Sequence, residues 1–294
     1  MKDDILENYR KAGQTSAGIR KEILETVKPG MKILDLAEKI EKMTTERGCG
    51  IAFPVNIGIN EITAHYTPTY NDETVIKKGD LVKIDQGLHV DGYVADMAYT
   101  FCTENHEYIK TAEEAVKAAI DMIKPGIQIS EISKAIYEYV KSKDLGVITN
   151  LTGHGLEQYV IHGPPNIPNK LSESSLKLEE GQTIAIEPFV TDSDSTVKES
   201  QPVEIYSFLQ PRPVRMQEAR EILMVSANEF KGLPFAKRWF SSVFPPVKTA
   251  MALKQLEQAN AIHPYPVLKE VRNKPVAQAE HTIIVLEEPV VTTL

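Results

Sequence analysis

Two stretches of the chain repeat one pattern of turn, amphipathic helix and strand. Residues 29–36 (PGMKILDL) and 125–132 (PGIQISEI) each begin with a Pro-Gly turn and continue with apolar residues at helical spacing. Further along, residues 78–85 (KGDLVKID) match residues 180–187 (EGQTIAIE), and each copy is a turn followed by an apolar strand that ends in a carboxylate. The repeats predict a duplicated helix-and-strand unit whose halves pack about a pseudo-twofold axis, bringing Asp85 and Glu187 together.

The region after the second repeat has a different pattern. Prolines interrupt short helical stripes from about residue 207 to 265, and this region has no counterpart in the first half. From Val276 the pattern is strand-like again, with Glu280 on the same face as Thr282 and Ile284. We therefore expect an α/β (α+β) main domain formed by residues 1–206 and 266–294, with residues 207–265 as an inserted helical subdomain.

Residues 81–102 carry the clearest hairpin pattern, because an Asp-Gly pair separates two strand-like runs. A two-residue turn sets Gly87 opposite Asp96 and leaves Asp85 two positions away on the same face. Asp85 and Asp96 are thus predicted to be diagonal neighbours that can reach the same cation or a close pair of cations. A solvated hairpin face with two acids would have the same local pattern.

Three further side chains favour the metal site. His154 lies between two glycines, Glu187 ends an apolar run before Pro188, and Glu280 opens an apolar strand. Together they complete an oxygen-rich ligand set that suits Mn, Fe, Co or Zn. Four carboxylates balance the charge of two divalent ions, so two ions per chain are expected. The predicted ligands are Asp85, Asp96, His154, Glu187 and Glu280.

Composition excludes several classes of function. The 294 residues include 42% hydrophobic and 25% charged residues, typical of a globular protein, and the net charge is -8. No basic run indicates nucleic acid as the main ligand, and no apolar run is long enough for a membrane span or a signal core. The two cysteines are too few for a disulfide framework. We expect a cytoplasmic monomer with reduced thiols.

The segments around these ligands resemble the type II methionine aminopeptidases, in the archaeal form without an N-terminal extension. The matching segments are FPVNIGINEITAHYTP, IDQGLHVDGYVADMAYTF, TGHGLEQYVIH, IAIEPF and AQAEHTII. The resemblance implies the duplicated pita-bread fold and two divalent ions. It also implies that Asp96 and Glu280 bridge the ions, that Asp85 chelates one, and that His154 and Glu187 complete the other.

The same resemblance implies roles around the metals. His65 and His162 match histidines that bind the substrate carbonyl or amide, and Phe53, Ile161 and Tyr265 match the pocket for the methionine side chain. The implied reaction removes the N-terminal methionine from nascent proteins and peptides with a small second residue. The nucleophile would be a hydroxide that bridges the ions, with Glu187 as the proton shuttle. Whether the insertion contacts a ribosome stays open.

Two alternatives remain open at this stage. Prolidases and proline aminopeptidases share the fold and the five ligands, but they usually carry an additional N-terminal domain. The first repeat begins near residue 29, which leaves no room for such a domain in this chain. A non-catalytic pita-bread protein that binds peptides, histones or RNA would be expected to have lost ligands, whereas all five are present here.

Overall fold

Seven helices and fifteen strands follow one another in a computed structural model that describes all of residues 1–294. The helices are α1 (Asp3–Thr26), α2 (Ile33–Glu46), α3 (Glu107–Ile120), α4 (Ile129–Lys141), α5 (Gln217–Asn228), α6 (Lys237–Ser241) and α7 (Pro246–Gln258). The strands are β1 (Gly50–Ile59), β2 (Ile62–Ala64), β3 (Val82–Val90), β4 (Tyr93–Phe101), β5 (Gly146–Val147), β6 (Thr152–Glu157), β7 (Val160–Pro168), β8 (Thr183–Ile186), β9 (Phe189–Thr191), β10 (Val197–Phe208), β11 (Phe235–Ala236), β12 (Ile262–Glu270), β13 (Ala277–Gln278), β14 (His281–Ile284) and β15 (Val290–Val291).

The two sequence repeats have the same backbone geometry. Gly30 and Gly126 each have a positive φ, 86° and 85°, in the turn before α2 and α4. Their N–H groups donate to the equivalent carbonyls of Ile76 and Leu178, at 2.7 and 2.8 Å. Because a left-handed turn favours glycine, the Pro-Gly pair fixes the same helix entry in both halves. The predicted duplication is confirmed at these turns.

Each half has its own sheet and buried core. Strands β1, β3 and β4 form one antiparallel sheet, and β15, β14, β8, β6 and β7 form another in that order. Helices α1 and α2 pack on the first sheet, and α3 and α4 pack on the second half. The apolar stripes of α2 and α4 face the sheets, since their apolar residues at spacings of three and four positions are buried. The predicted α/β fold class is therefore confirmed.

The region predicted as an insertion contains the three helices α5 to α7. Their apolar residues form a separate core with Tyr206, Phe235 and Ile262. Strands β10 and β12 pair along their length and connect this region to the main domain. The predicted boundaries at residues 206 and 265 lie inside these two strands, and the division into domains stays a prediction.

Two further expectations can be compared with the structure. The hairpin register is as predicted, since Gly87 pairs with Asp96 and Asp85 pairs with Ala98. The strand expected from Val276 is instead divided into β13 and β14, because the chain passes there from the sheet of β9 to the sheet of β8.

Cys49 and Cys102 are both free thiols. No helix has the length and apolar character needed to cross a bilayer.

Candidate active site

The ten residues predicted for the site all line one cavity of about 260 Å³ between the two halves. Residues from both repeats contribute to it, as does Tyr265 from β12. The structure therefore brings the whole predicted set together, and the role of each residue stays a prediction. The set is Phe53, His65, Asp85, Asp96, His154, Ile161, His162, Glu187, Tyr265 and Glu280.

The first sequence repeat and its hairpin supply two of the four carboxylates, and segments between strands of the second half supply the other two. Asp85 and Asp96 lie on the hairpin of β3 and β4. Glu187 lies between β8 and β9, and Glu280 lies between β13 and β14, which are the strands that pair with β8 and β9. Both glutamates thus occupy the point where the paired strands change from one sheet to the other. In a regular strand, successive side chains point to opposite faces of the sheet. Glu187 and Glu280 lie outside the strands, so this constraint does not apply to them, and both side chains line the cavity.

The His154 ring lies near one backbone carbonyl and two carboxylates, with its Nδ1 3.4 Å from the carbonyl oxygen of Gly155. Its Nε2 lies 3.8 Å from Oδ2 of Asp96 and 3.7 Å from Oε1 of Glu187. A side chain at Gly155 would place its Cβ only 1.9 Å from the carbonyl oxygen of Pro164. The glycine is therefore required by the close approach of β7, which explains the glycine next to this histidine.

Burial without a counter-ion shifts the pKa values of all four carboxyl groups. Desolvation raises the pKa of Asp85 to about 7. Desolvation also raises the pKa values of Asp96, Glu187 and Glu280, and the charges of neighbouring carboxylates add to the shift. Ionising four buried carboxyl groups costs free energy when no cation is near. Bound cations neutralise the carboxylates and offset that cost.

The donor set fits divalent cations. Ligand atoms of Asp96, His154 and Glu280 all lie within 4.8 Å of one another, and Oδ1 of Asp85 is buried without a hydrogen-bond partner. Burial lowers the pKa of His154 to about 3, so its imidazole is neutral and able to act as a ligand. Carboxylate oxygens with one imidazole suit first-row divalent metals.

The substrate side of the cavity combines aromatic and imidazole groups. The rings of His154 and His162 are 4.7 Å apart, and the ring of Tyr265 lies 5.6 Å from that of His65. Desolvation, with a contribution from the neighbouring His162, lowers the pKa of His65 to about 4. His65 is therefore neutral near pH 7, and its Nδ1 is buried without a partner. Phe53 and Ile161 supply buried apolar surface.

Sequence reasoning missed two buried amides at the site. Gln278 Nε2 donates to Oε2 of Glu187 at 3.4 Å and to Oε2 of Glu280 at 3.5 Å. Asn56 lines the cavity opposite Asp85, and its amide oxygen is buried without a partner. Gln278 precedes Glu280 by two residues, which was an available signal for a side chain on the same face. No comparable signal marks Asn56.

A duplicated fold around a buried set of carboxylates and a histidine is the architecture of a metal-dependent hydrolase. The sequence profile of Metallopeptidase family M24 matches residues 7–222 of this chain. The chain is 46% identical over 288 residues to the methionine aminopeptidase of Thermococcus onnurineus, covering 97% of this chain and 98% of that protein. It is 45% identical over 286 residues to the methionine aminopeptidase of Archaeoglobus fulgidus, covering 97% of each.

A solved structure shares the fold along the whole chain. The methionine aminopeptidase of Thermotoga maritima superposes with a TM-score of 0.73 at 23% identity, covering 100% of this chain and 98% of that one. The chain belongs to metallopeptidase family M24 and, within that family, to the methionine aminopeptidases. The resemblance stated from the sequence motifs is confirmed.

Proposed function

We propose that this chain removes the N-terminal methionine from peptides and nascent proteins whose second residue is small. The observation that carries the proposal is the single cavity in which a carboxylate and histidine cluster adjoins apolar surface. At about 260 Å³ the cavity is smaller than the roughly 300–1,000 Å³ of pockets for drug-sized ligands. A cavity of this size suits one side chain and the adjacent peptide bond, as an exopeptidase requires.

Divalent cations, two per chain, would be held by Asp85, Asp96, His154, Glu187 and Glu280. Bound there, they would supply Lewis-acid polarisation of the scissile carbonyl and a water of lowered pKa. Co, Mn, Fe and Zn all suit this ligand set. Gln278 donates to the carboxylates of Glu187 and Glu280 and thereby restrains the orientation of both.

The protein's own side chains orient the substrate and move its protons. Phe53, Ile161 and Tyr265 receive the methionine side chain in the apolar part of the cavity. Burial lowers the pKa values of both His65 and His162, so both are neutral near pH 7. They donate hydrogen bonds to the scissile carbonyl or amide and stabilise the negative charge that develops on the oxygen. Glu187 accepts a proton from the attacking water and passes it to the leaving amine.

The substrate test uses protein from which a chelator has removed all metal. Methionine release from Met-Ala-Ser is measured after adding back Mn, Co, Fe or Zn, with Met-Lys-Ser and Ala-Pro as comparison peptides. We expect metal-dependent release of methionine from Met-Ala-Ser, little release from Met-Lys-Ser, and no cleavage of Ala-Pro. Cleavage of Ala-Pro instead would favour a proline peptidase, and inactivity with every metal would favour a binding protein.

Two substitutions distinguish the loss of a predicted metal ligand from the loss of an ordinary surface carboxylate. Asp96→Asn removes one predicted bridging ligand, whereas Asp121→Asn makes the same chemical change at an exposed position. We expect the first to abolish release and the second to leave it unchanged. The monomeric state and the cytoplasmic location remain predictions, and a contact between the insertion and a ribosome stays open.

A further inference from the structure

Two buried threonines join strand β4 to the segment that carries Glu280. The Asp96 N–H donates to the Thr282 hydroxyl at 2.8 Å, and that hydroxyl donates to the Asp96 carbonyl at 2.8 Å. The Gln278 N–H donates to the Thr100 hydroxyl at 2.8 Å, and that hydroxyl donates to the Gln278 carbonyl at 2.7 Å. Each threonine therefore binds both backbone groups of one residue on the opposite segment. We call this arrangement the threonine junction.

The junction runs in antiparallel register. Thr282 faces Asp96, Thr100 faces Gln278, and between them the Glu280 N–H donates to the Ala98 carbonyl at 2.9 Å. Strand β4 belongs to the sheet of β1 and β3, whereas β13 and β14 belong to other sheets. The threonine hydroxyls thus flank one backbone hydrogen bond and supply the hydrogen bonds on either side of it between β4 and these neighbouring strands. One hydroxyl can fill this role because it both accepts and donates.

The position of the junction ties it to the predicted metal centre. Asp96 is bound at one end of the junction, and Glu280 lies between its two ends. These are the two carboxylates expected to bridge the cations. Thr100 also fixes the backbone of Gln278, whose side chain donates to Glu187 and Glu280. Thr282 is fully buried, and the Thr293 hydroxyl accepts its N–H at 3.2 Å, so its own position is restrained.

We propose that Thr100 and Thr282 are positioning residues that set the separation of Asp96 and Glu280, and thereby the affinity of the site for divalent cations. The proposal rests on the proposed function, because it needs these carboxylates to be metal ligands. Its physical reason is that Asp96 lies in the sheet of β1, β3 and β4, whereas Glu280 lies on the segment between β13 and β14, which belong to other sheets. The hydrogen bonds inside these sheets do not join the two carboxylates. The segments that carry them are joined by the threonine junction and by the bond from the Glu280 N–H to the Ala98 carbonyl.

The test measures binding of Mn²⁺ alone to chelator-treated protein by titration calorimetry. Thr282→Val keeps the shape of the side chain and removes the hydroxyl, while Thr282→Ser keeps the hydroxyl. Loss of residues that hold metal ligands in place typically weakens binding 10- to 100-fold. We expect a change of about that size for Thr282→Val and a change of less than about threefold for Thr282→Ser.

Thr44→Val is the matched control. Thr44 is also buried, but its hydroxyl donates to the Ile40 carbonyl within α2, away from the cavity. We expect its Mn²⁺ affinity to equal that of the unmodified protein. Thr100→Val repeats the test at the other end of the junction, so the proposal remains testable if Thr282→Val does not fold.

The outcomes separate this inference from the proposed function. If the unmodified protein binds Mn²⁺ and the valine variants bind it equally tightly, the positioning role is wrong while the proposed function stands. If Thr44→Val weakens binding as much as Thr282→Val, the effect is a general loss of stability, and the positioning role is again wrong. If the unmodified protein binds no Mn²⁺, both the proposed function and the inference fail.

Discussion

A buried ion pair fastens the predicted insertion to the main domain, and breaking it should destabilise the protein. Arg238 of α6 is 4% exposed and pairs with Glu41 of α2. The Glu41 carboxylate also accepts the Trp239 Nε1–H at 3.0 Å and the Val55 N–H at 3.3 Å. Glu41→Ala removes all of these acceptors and leaves the buried guanidinium without its ion-pair partner.

The expected cost follows from that burial. Removing one partner of a buried ion pair typically costs about 3–5 kcal/mol, since the remaining charge is uncompensated. For a chain of this length, each kcal/mol lowers the melting temperature by about 2 °C, so we expect a fall of roughly 6–10 °C. Glu38→Ala is the control, because Glu38 is an exposed acid of the same helix that makes no ion pair with Arg238, and it should change the melting temperature little.

The same pair should affect catalysis through His65. Arg238 donates to the Thr67 hydroxyl and to the Pro68 carbonyl, in the segment that follows His65. His65 has a φ of 60°, an unfavourable conformation for a non-glycine residue that its surroundings must hold in place. Glu41→Ala should therefore lower kcat for Met-Ala-Ser as well as stability, even well below the melting temperature.

Thermal and urea unfolding of the single variants Glu41→Ala and Arg238→Ala, and of the double variant, measure the coupling. The double variant should lose less stability than the sum of the single changes, with a coupling of about 1–3 kcal/mol. A melting temperature for Glu41→Ala equal to that of Glu38→Ala would show that the buried ion pair does not stabilise the fold. Additive effects of the two single changes would refute the pairing itself.

Three further predictions concern the metal cluster and its strands. The pKa of Asp85 is about 7 in the folded metal-free protein against an ordinary 3.8, so the folded state binds more protons than the unfolded state between these values. Buried His65 and His154, whose pKa values are lowered, act in the opposite direction over the same pH range, so the metal-free protein must be compared with Asp85→Asn. Relative to that variant, the free energy of unfolding of the protein in urea should fall as pH rises from about 4 to 7; a relative rise would contradict this. Asp96→Asn removes one of the mutually repelling carboxylates, so the metal-free protein should melt at a higher temperature while Mn²⁺ binding is lost. A lower melting temperature would show that the repulsion is unimportant. Gly155→Ala should destabilise the fold by several kcal/mol, because its Cβ would meet the Pro164 carbonyl oxygen at 1.9 Å, whereas Gly163→Ala has 3.4 Å of space and should cost much less. Equal melting temperatures for these two variants would count against the steric argument.

The parts of the fold that depend on local rules could be predicted from the sequence. The two-residue turn after β3 fixes the parity of the hairpin, so the positions of Asp85 and Asp96 on one face followed directly. The repeated Pro-Gly turns likewise fixed the entry of α2 and α4. The ligand set combined such local arguments with a family resemblance.

The parts that depend on long-range contacts could not be predicted in this way. The hydroxyl of Thr282 meets the backbone of Asp96 across 186 positions of sequence, and no periodicity indicates that pairing. The same holds for Glu41 and Arg238, which are 197 positions apart. The break between β13 and β14 was missed because the local pattern is that of one strand, while the change of sheet is set by the pairing with β9 and β8.

Binding of two divalent cations in the cavity is tested most directly by soaking a crystal of this protein in Mn²⁺ and calculating an anomalous difference map at the manganese edge. We expect two peaks in the cavity, each in contact with ligands from the set Asp85, Asp96, His154, Glu187 and Glu280. Peaks elsewhere on the surface, or an empty cavity at a Mn²⁺ concentration that supports methionine release, would contradict this expectation.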